Sequence, residues 1–162
     1  MNERKTKIYL DTSVISHLDA PETPEKMRDT LRLWEKIQAG EYEVVLSEVV
    51  FIELSRCLEP KRSLLADSLK EIKYERVESS DKVVALAGKF VDFGILREKS
   101  LNDCRHIAAA LLSGCDIIVS WNFKHMVCAK TVRGAREIAA KGGYNDIMIF
   151  TPSTLIEEPE DE

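Results

Sequence analysis

No apolar run in the chain approaches the roughly 20 residues that a membrane-spanning helix requires, so no membrane association is expected. The opening Met1-Asn2-Glu3-Arg4-Lys5 leads straight into the first apolar stretch without a signal-peptide core, and the chain reads as cytoplasmic. Cysteine is sparse: Cys57, Cys104, Cys115 and Cys128 form no Cys-x-x-Cys pair. Together with His106 they lack zinc-site spacing, so a structural zinc is not expected, and the thiols read as reduced core residues. Phosphate-cradling loops of the Gly-x-x-x-x-Gly-Lys and Gly-x-Gly-x-x-Gly kinds are absent, as is a Gly-x-Ser-x-Gly nucleophile turn. An aspartyl-phosphate phosphatase would want a second Asp at position 13, where Ser13 stands. His17, His106 and His125 form no helical ligand pair, and His17 and His106 read as ordinary polar residues.

What is present is a chain of 162 residues, 44% hydrophobic and 31% charged, long enough to bury one real core. The formal charge of −5 is matched by the acids Glu157, Glu158, Glu160, Asp161 and Glu162, which leaves the body near neutrality. That tail, residues 157–162, has no apolar period and is expected to be disordered. Between Asn122 and Gly143, Lys124, Lys130, Arg133, Arg136 and Lys141 face only Glu137. Such a face is compatible with phosphate-backbone binding and equally with a solvated helix.

Apolar periodicity predicts alternating strands and helices. Strands are expected at 7–10, 44–46, 74–77, 116–120 and 147–151, the last closed by Pro152. Helices are expected at about 25–39, from Ser47 as a cap to Pro60, and at 61–73, 81–93, 104–112 and 131–141, with Ser100 to Asp103 a capping-box-like start. This alternation argues for a three-layer α/β/α domain with a parallel sheet, residues 1–156 forming a single unit.

Four polar groups stand at comparable topological places: Asp11 and Asn122 just past strand ends, Asp103 opening a helix, and Glu53 in a helix that follows a strand. Ligands bind beyond the carboxyl ends of parallel strands. Three carboxylates gathered there would repel one another unless a cation intervened. Hard oxygen donors without Cys or His suit Mg²⁺ or Mn²⁺, and such a site suits phosphodiester hydrolysis. Each residue also has a plain structural reading. Asp11 can cap the next helix, Asp103 can close a capping box, and Glu53 can pair with Arg56 at the edge of an apolar stripe. Trp121 and Phe123 could stack on bases, but beside a buried strand they are expected in the core.

The succession Asp11-Thr12-Ser-Val-Ile, Phe-Ile-Glu53-Leu-Ser-Arg, Leu-Asn-Asp103-Cys-Arg-His-Ile-Ala-Ala-Ala and Ile-Ile-Val-Ser-Trp-Asn122-Phe-Lys-His resembles the PIN-domain family. The VapC-like toxin ribonucleases of toxin–antitoxin pairs are its commonest small members. The resemblance spans about residues 7–156. It implies a Rossmann-like parallel sheet of about five strands and a Mg²⁺- or Mn²⁺-dependent acidic site that cleaves single-stranded RNA. It also implies that Asp11 and Asp103 are the central metal-binding aspartates and that Glu53 is the glutamate between them, a third ligand or water-orienting group. Asn122 falls where many members carry a fourth acid, a departure that lowers the negative charge of the site. Thr12 and Ser13 match small hydroxyls that position the acids or water. As a toxin the chain would pair with a small antitoxin and form a homodimer. The leading expectation is therefore a metal-dependent endoribonuclease using Asp11, Glu53, Asp103 and Asn122. The alternative is a catalytically weakened PIN-like module that binds RNA or protein, and a weaker one is a phosphatase or DNA nuclease with the same acids.

Overall fold

The computed structural model describes residues 4–157. Five short segments, four of them apolar or β-branched, form the strands: β1 (Thr6–Leu10), β2 (Tyr42–Ser47), β3 (Glu75–Val77), β4 (Ile117–Val119) and β5 (Met148–Phe150). All pairings are parallel, and the order across the sheet is β3-β2-β1-β4-β5. The chain thus builds outward from β1 to one edge, returns, and builds outward from β4 to the other. The switch point lies between β1 and β4, where parallel sheets open a crevice at their carboxyl ends.

Parallel strands need covering helices on both faces. These are α1 (Thr12–Ser16), α2 (Pro24–Gln38), α3 (Glu48–Leu54), α4 (Lys61–Leu69), α5 (Asp81–Asp92), α6 (Leu101–Leu112), α7 (Ala129–Gly142) and α8 (Pro152–Ile156). The period-2 alternation of strand side chains divides the core in two. Tyr9, Val45, Ile118 and Ile149 pack with Phe90 of α5, Ile107 of α6 and Ile138 of α7. Ile8, Leu10, Val44, Leu46 and Val119 pack on the opposite face with Leu33 and Trp34 of α2 and Leu65 of α4. The predicted α/β/α layering is therefore observed. Burying a side chain such as Phe90 or Leu65 contributes roughly 1.5–3 kcal/mol, so both layers are held by the same apolar effect.

Several local expectations are corrected. α3 stops at Leu54 rather than reaching Pro60. There the Ser55 hydroxyl bonds the Ile52 carbonyl at 2.6 Å, and tight bonds from the Arg56 and Cys57 N–H groups end the helix. Ser47 precedes α3, but its hydroxyl turns inward to Tyr9 instead of capping. Ser100 makes no side-chain cap to α6 either. Pro152 does not merely stop β5. It opens α8, where a missing N–H costs nothing, and the Thr151 hydroxyl accepts the Thr154 N–H at 3.1 Å. α7 ends as expected, with Gly143 left-handed at φ 75°. Of the expected acidic tail, residues 158–162 lie outside the described residues. No helix among the described residues is long and apolar enough to cross a membrane.

Candidate active site

Asp11 follows β1 directly and extends its pairing, its N–H donating to the Val119 carbonyl at 3.2 Å. The chain then turns into α1, and the carboxylate does cap that helix, accepting the Val14 N–H at 3.3 Å. Capping is only part of its environment. Asp11 is 4% exposed and accepts the Ser13 hydroxyl on Oδ1 and the Ser120 hydroxyl on Oδ2, each at 2.5 Å. Burial pushes its pKa up, and the His106 charge and these hydrogen bonds oppose that rise without cancelling it. A helix cap has no need to be buried in this way, at the switch point and against the next strand's end.

Asp103 lies in the first turn of α6, half-buried. Its pKa is also raised, first by burial and then by the charges of Asp11 and Glu53, with His106 and His125 opposing. The three acids therefore share one electrostatic neighbourhood. Among the described residues the Asp103 carboxylate has no hydrogen-bond or ion-pair partner.

Glu53 is held differently. Its Oε1 accepts the Thr12 hydroxyl at 2.8 Å and the His106 Nε2–H at 2.7 Å. Burial alone would raise its pKa. The His106 hydrogen bond and charge, the Thr12 hydroxyl and Arg56 together bring it below the usual carboxylate value. The expected Arg56 pairing thus reduces to a long-range contribution, and His106 is the direct partner.

His106 is not an ordinary polar residue. It is 2% exposed, and its Nδ1 meets the Tyr9 hydroxyl at 2.5 Å, which in turn meets the Ser47 hydroxyl at 2.7 Å. A carboxylate only accepts, so Nε2 carries a proton toward Glu53, and the Nδ1, Tyr9 and Ser47 contacts hold the ring in that orientation. This buried chain ends on one oxygen of Glu53, leaving the other uncommitted. The only sequence sign of His106 was its position three residues after Asp103, on the same side of α6. Ser120, the last residue before the β4 crevice, was likewise overlooked.

Asn122 reaches the site indirectly. Its N–H donates to the Ser120 oxygen at 2.9 Å, and its side-chain Oδ1 accepts the His125 N–H at 3.0 Å, closing the turn after β4. Trp121 is buried, as expected, but Phe123 is not: the residue is 52% exposed.

Among the described residues, no three His, Cys, Asp or Glu side chains converge tightly enough to cage a metal by themselves. Mg²⁺ does not ask for such a cage. It keeps several waters and takes one or two carboxylates plus substrate phosphate oxygens. The unpaired Asp103 and the buried Asp11, whose Oδ2 accepts only the Ser120 hydroxyl, are hard oxygen donors that fit such a cation.

The profile of the PIN domain family matches residues 8–125. Among solved structures, the chain is similar to one in the crystal structure of VapBC2 from Rickettsia felis bound to a DNA fragment from their promoter. The TM-score is 0.54 at 15% sequence identity, covering 90% of this chain and 98% of that one. At that identity the likeness speaks for the fold. No curated protein matches the sequence.

Proposed function

The chain belongs to the PIN-domain family, and from that premise we propose that it is a Mg²⁺- or Mn²⁺-dependent endoribonuclease of single-stranded RNA, acting as the toxin of a toxin–antitoxin pair. The observation that carries this reading is the buried, upshifted Asp11 at the switch point, in the same electrostatic neighbourhood as Asp103 and Glu53. Asp11 and Asp103 hold the ion. Bound there, it supplies Lewis-acid polarisation of the scissile phosphate and stabilises charge on the leaving oxygen. Ser13 and Ser120 fix the Asp11 carboxylate from either side. Glu53, kept ionised and oriented by His106 and Thr12, uses its uncommitted oxygen to orient the attacking water or to complete the ligand set. Asn122 supports this arrangement through Ser120. The partner is a small antitoxin, in keeping with a structural neighbour solved as a VapBC complex, and the toxin itself is a homodimer.

Asp11→Asn and Asp103→Asn, assayed on single-stranded RNA with Mg²⁺ or Mn²⁺ and with a chelator, are expected to lose cleavage while keeping the parent's circular dichroism. Parent-like cleavage by both variants would refute the site assignment. A second reading, a weakened module that binds RNA or protein without cutting, draws on the missing three-ligand cage and on the Asn122 side chain, whose oxygen is used in a turn. It predicts no calorimetric metal signal at millimolar Mg²⁺ or Mn²⁺ while RNA or a partner still binds.

A further inference from the structure

The surface beside the carboxylates carries an aromatic and cationic cluster that hydrolysis itself does not use. Trp121 directly follows Ser120, and its indole N–H is tied to the Thr30 hydroxyl at 2.8 Å, so the ring is anchored. Phe123 leans against it with centroids 6.3 Å apart and presents its ring to solvent. On the other side, His17 tilts onto Trp121 at 5.8 Å. Lys26 of α2 lies over both rings, its Nζ 5.3 Å from the Phe123 centroid and 5.7 Å from that of Trp121. Among the described residues Lys26 has no carboxylate partner, so its charge is available to an incoming anion.

The cluster is coupled rigidly to the site through Ser13. The Ser13 hydroxyl, which donates to Asp11, accepts the Trp121 N–H at 2.9 Å, and its carbonyl lies 2.7 Å from Nδ1 of His17. An exposed phenyl ring gains little for the fold, since its water is not removed. Placed next to a hydrolytic crevice and beside an unpaired ammonium, it matches a stacked base and the phosphate attached to it. Stacking platforms joined to a cation are how proteins hold single strands without reading their sequence.

We propose that Phe123 and Lys26 form a nucleotide subsite, Phe123 stacking an unpaired base of the RNA and Lys26 neutralising an adjoining phosphate, with Trp121 and His17 as the fixed backing. This rests on the ribonuclease reading above. The cation argues for a polyanion rather than an apolar peptide as the occupant.

The test uses the full chain and a short single-stranded RNA carrying 2-aminopurine, first with chelator to measure binding and then with Mn²⁺ to measure cleavage. Phe123→Leu is expected to weaken binding roughly 5- to 150-fold, the range for loss of one stacked base. It should raise KM in parallel with little change in kcat, while Phe123→Tyr keeps parent values. Lys26→Gln should weaken binding and flatten its salt dependence by about one phosphate contact. Phe123 and Lys26 are not core residues, so thermal melts of these variants should overlay the parent. If Phe123→Leu and Lys26→Gln bind and cleave like the parent, the subsite is wrong although the ribonuclease reading stands. The subsite is equally wrong if these changes weaken only capture of a protein partner. Loss of the ribonuclease reading shows separately, as absence of parent cleavage or its persistence in both Asp11→Asn and Asp103→Asn.

Discussion

Replacing Asp11 by Asn separates the two things this carboxylate does. Asn caps a helix about as well as Asp, so as a cap alone the substitution would be silent in stability. The site geometry predicts otherwise. The Asn oxygen can keep the Ser13 and Val14 donors, and its amide can donate to the Ser120 oxygen in place of accepting from it, so the contacts persist while a buried ionisable group disappears. Because burial raises the folded-state pKa of Asp11 above its usual value of 3.8, the folded protein binds more protons than the unfolded chain between those two values. Stability therefore falls as pH rises through that window. The variant escapes this penalty. Near neutrality it should melt above the metal-free parent by about 2–4 °C, for relief on the order of 1 kcal/mol in a domain of this size. The gap should close below pH ~4, near the ordinary aspartate value. Added Mn²⁺ should reverse the ranking. At about 100 times its dissociation constant a ligand stabilises by about 2.7 kcal/mol, or roughly 5–11 °C here, and the variant should gain little. Differential scanning fluorimetry across pH, with and without Mn²⁺, measures both signs. Coincident melts at every pH with equal Mn²⁺ shifts would reduce Asp11 to a helix cap.

Three further outcomes follow from other parts of the molecule. His106→Leu removes the donor to Glu53 and should cost about 1–3 kcal/mol. The depressed pKa of Glu53 gives stability above its usual 4.5 that is lost as pH falls through the folded value, so pH-dependent melts of this variant should lose that acid limb. Gly134→Ala should destabilise despite the up to about 1 kcal/mol gained in helix propensity, because a Cβ there would stand 2.6 Å from Ile95 Cδ1, an overpacking cost of about 1–3 kcal/mol. Chemical denaturation should show it rescued by Ile95→Ala in the double variant. Burial pushes the Cys104 and Cys115 thiols up to about 11. Iodoacetamide labelling read by mass spectrometry should therefore reach the half-buried Cys57 and Cys128 first, and early labelling of Cys104 would contradict the packing of α6.

Much of the architecture is legible in local pattern. Ile8-Tyr9-Leu10 followed by Asp11 announces a buried strand ending in a turn, and the apolar stripe of α2 with Gly40 behind it announces a helix, because these signals act over a few residues. The candidate acids were legible by their places just after strands or at a helix start. Their partners were not. The bond from His106 to Glu53 spans 53 residues and that from Ser120 to Asp11 spans 109. Neither side chain looks unusual among its own neighbours. The exposure of Phe123 was also misjudged, since adjacency to the β4 strand says nothing about which way the following turn faces.

By itself, the sequence determined where strands and helices form, which faces they bury, and that carboxylates follow strands in an α/β chain. Only the tertiary structure decided that the sheet reverses between β1 and β4, so that Asp11 is buried with its pKa pushed up while His106 helps hold Glu53 below its usual value. The reason is physical: periodicity and capping are short-range, whereas the state of a carboxylate depends on its desolvation and on donors that distant segments bring to it.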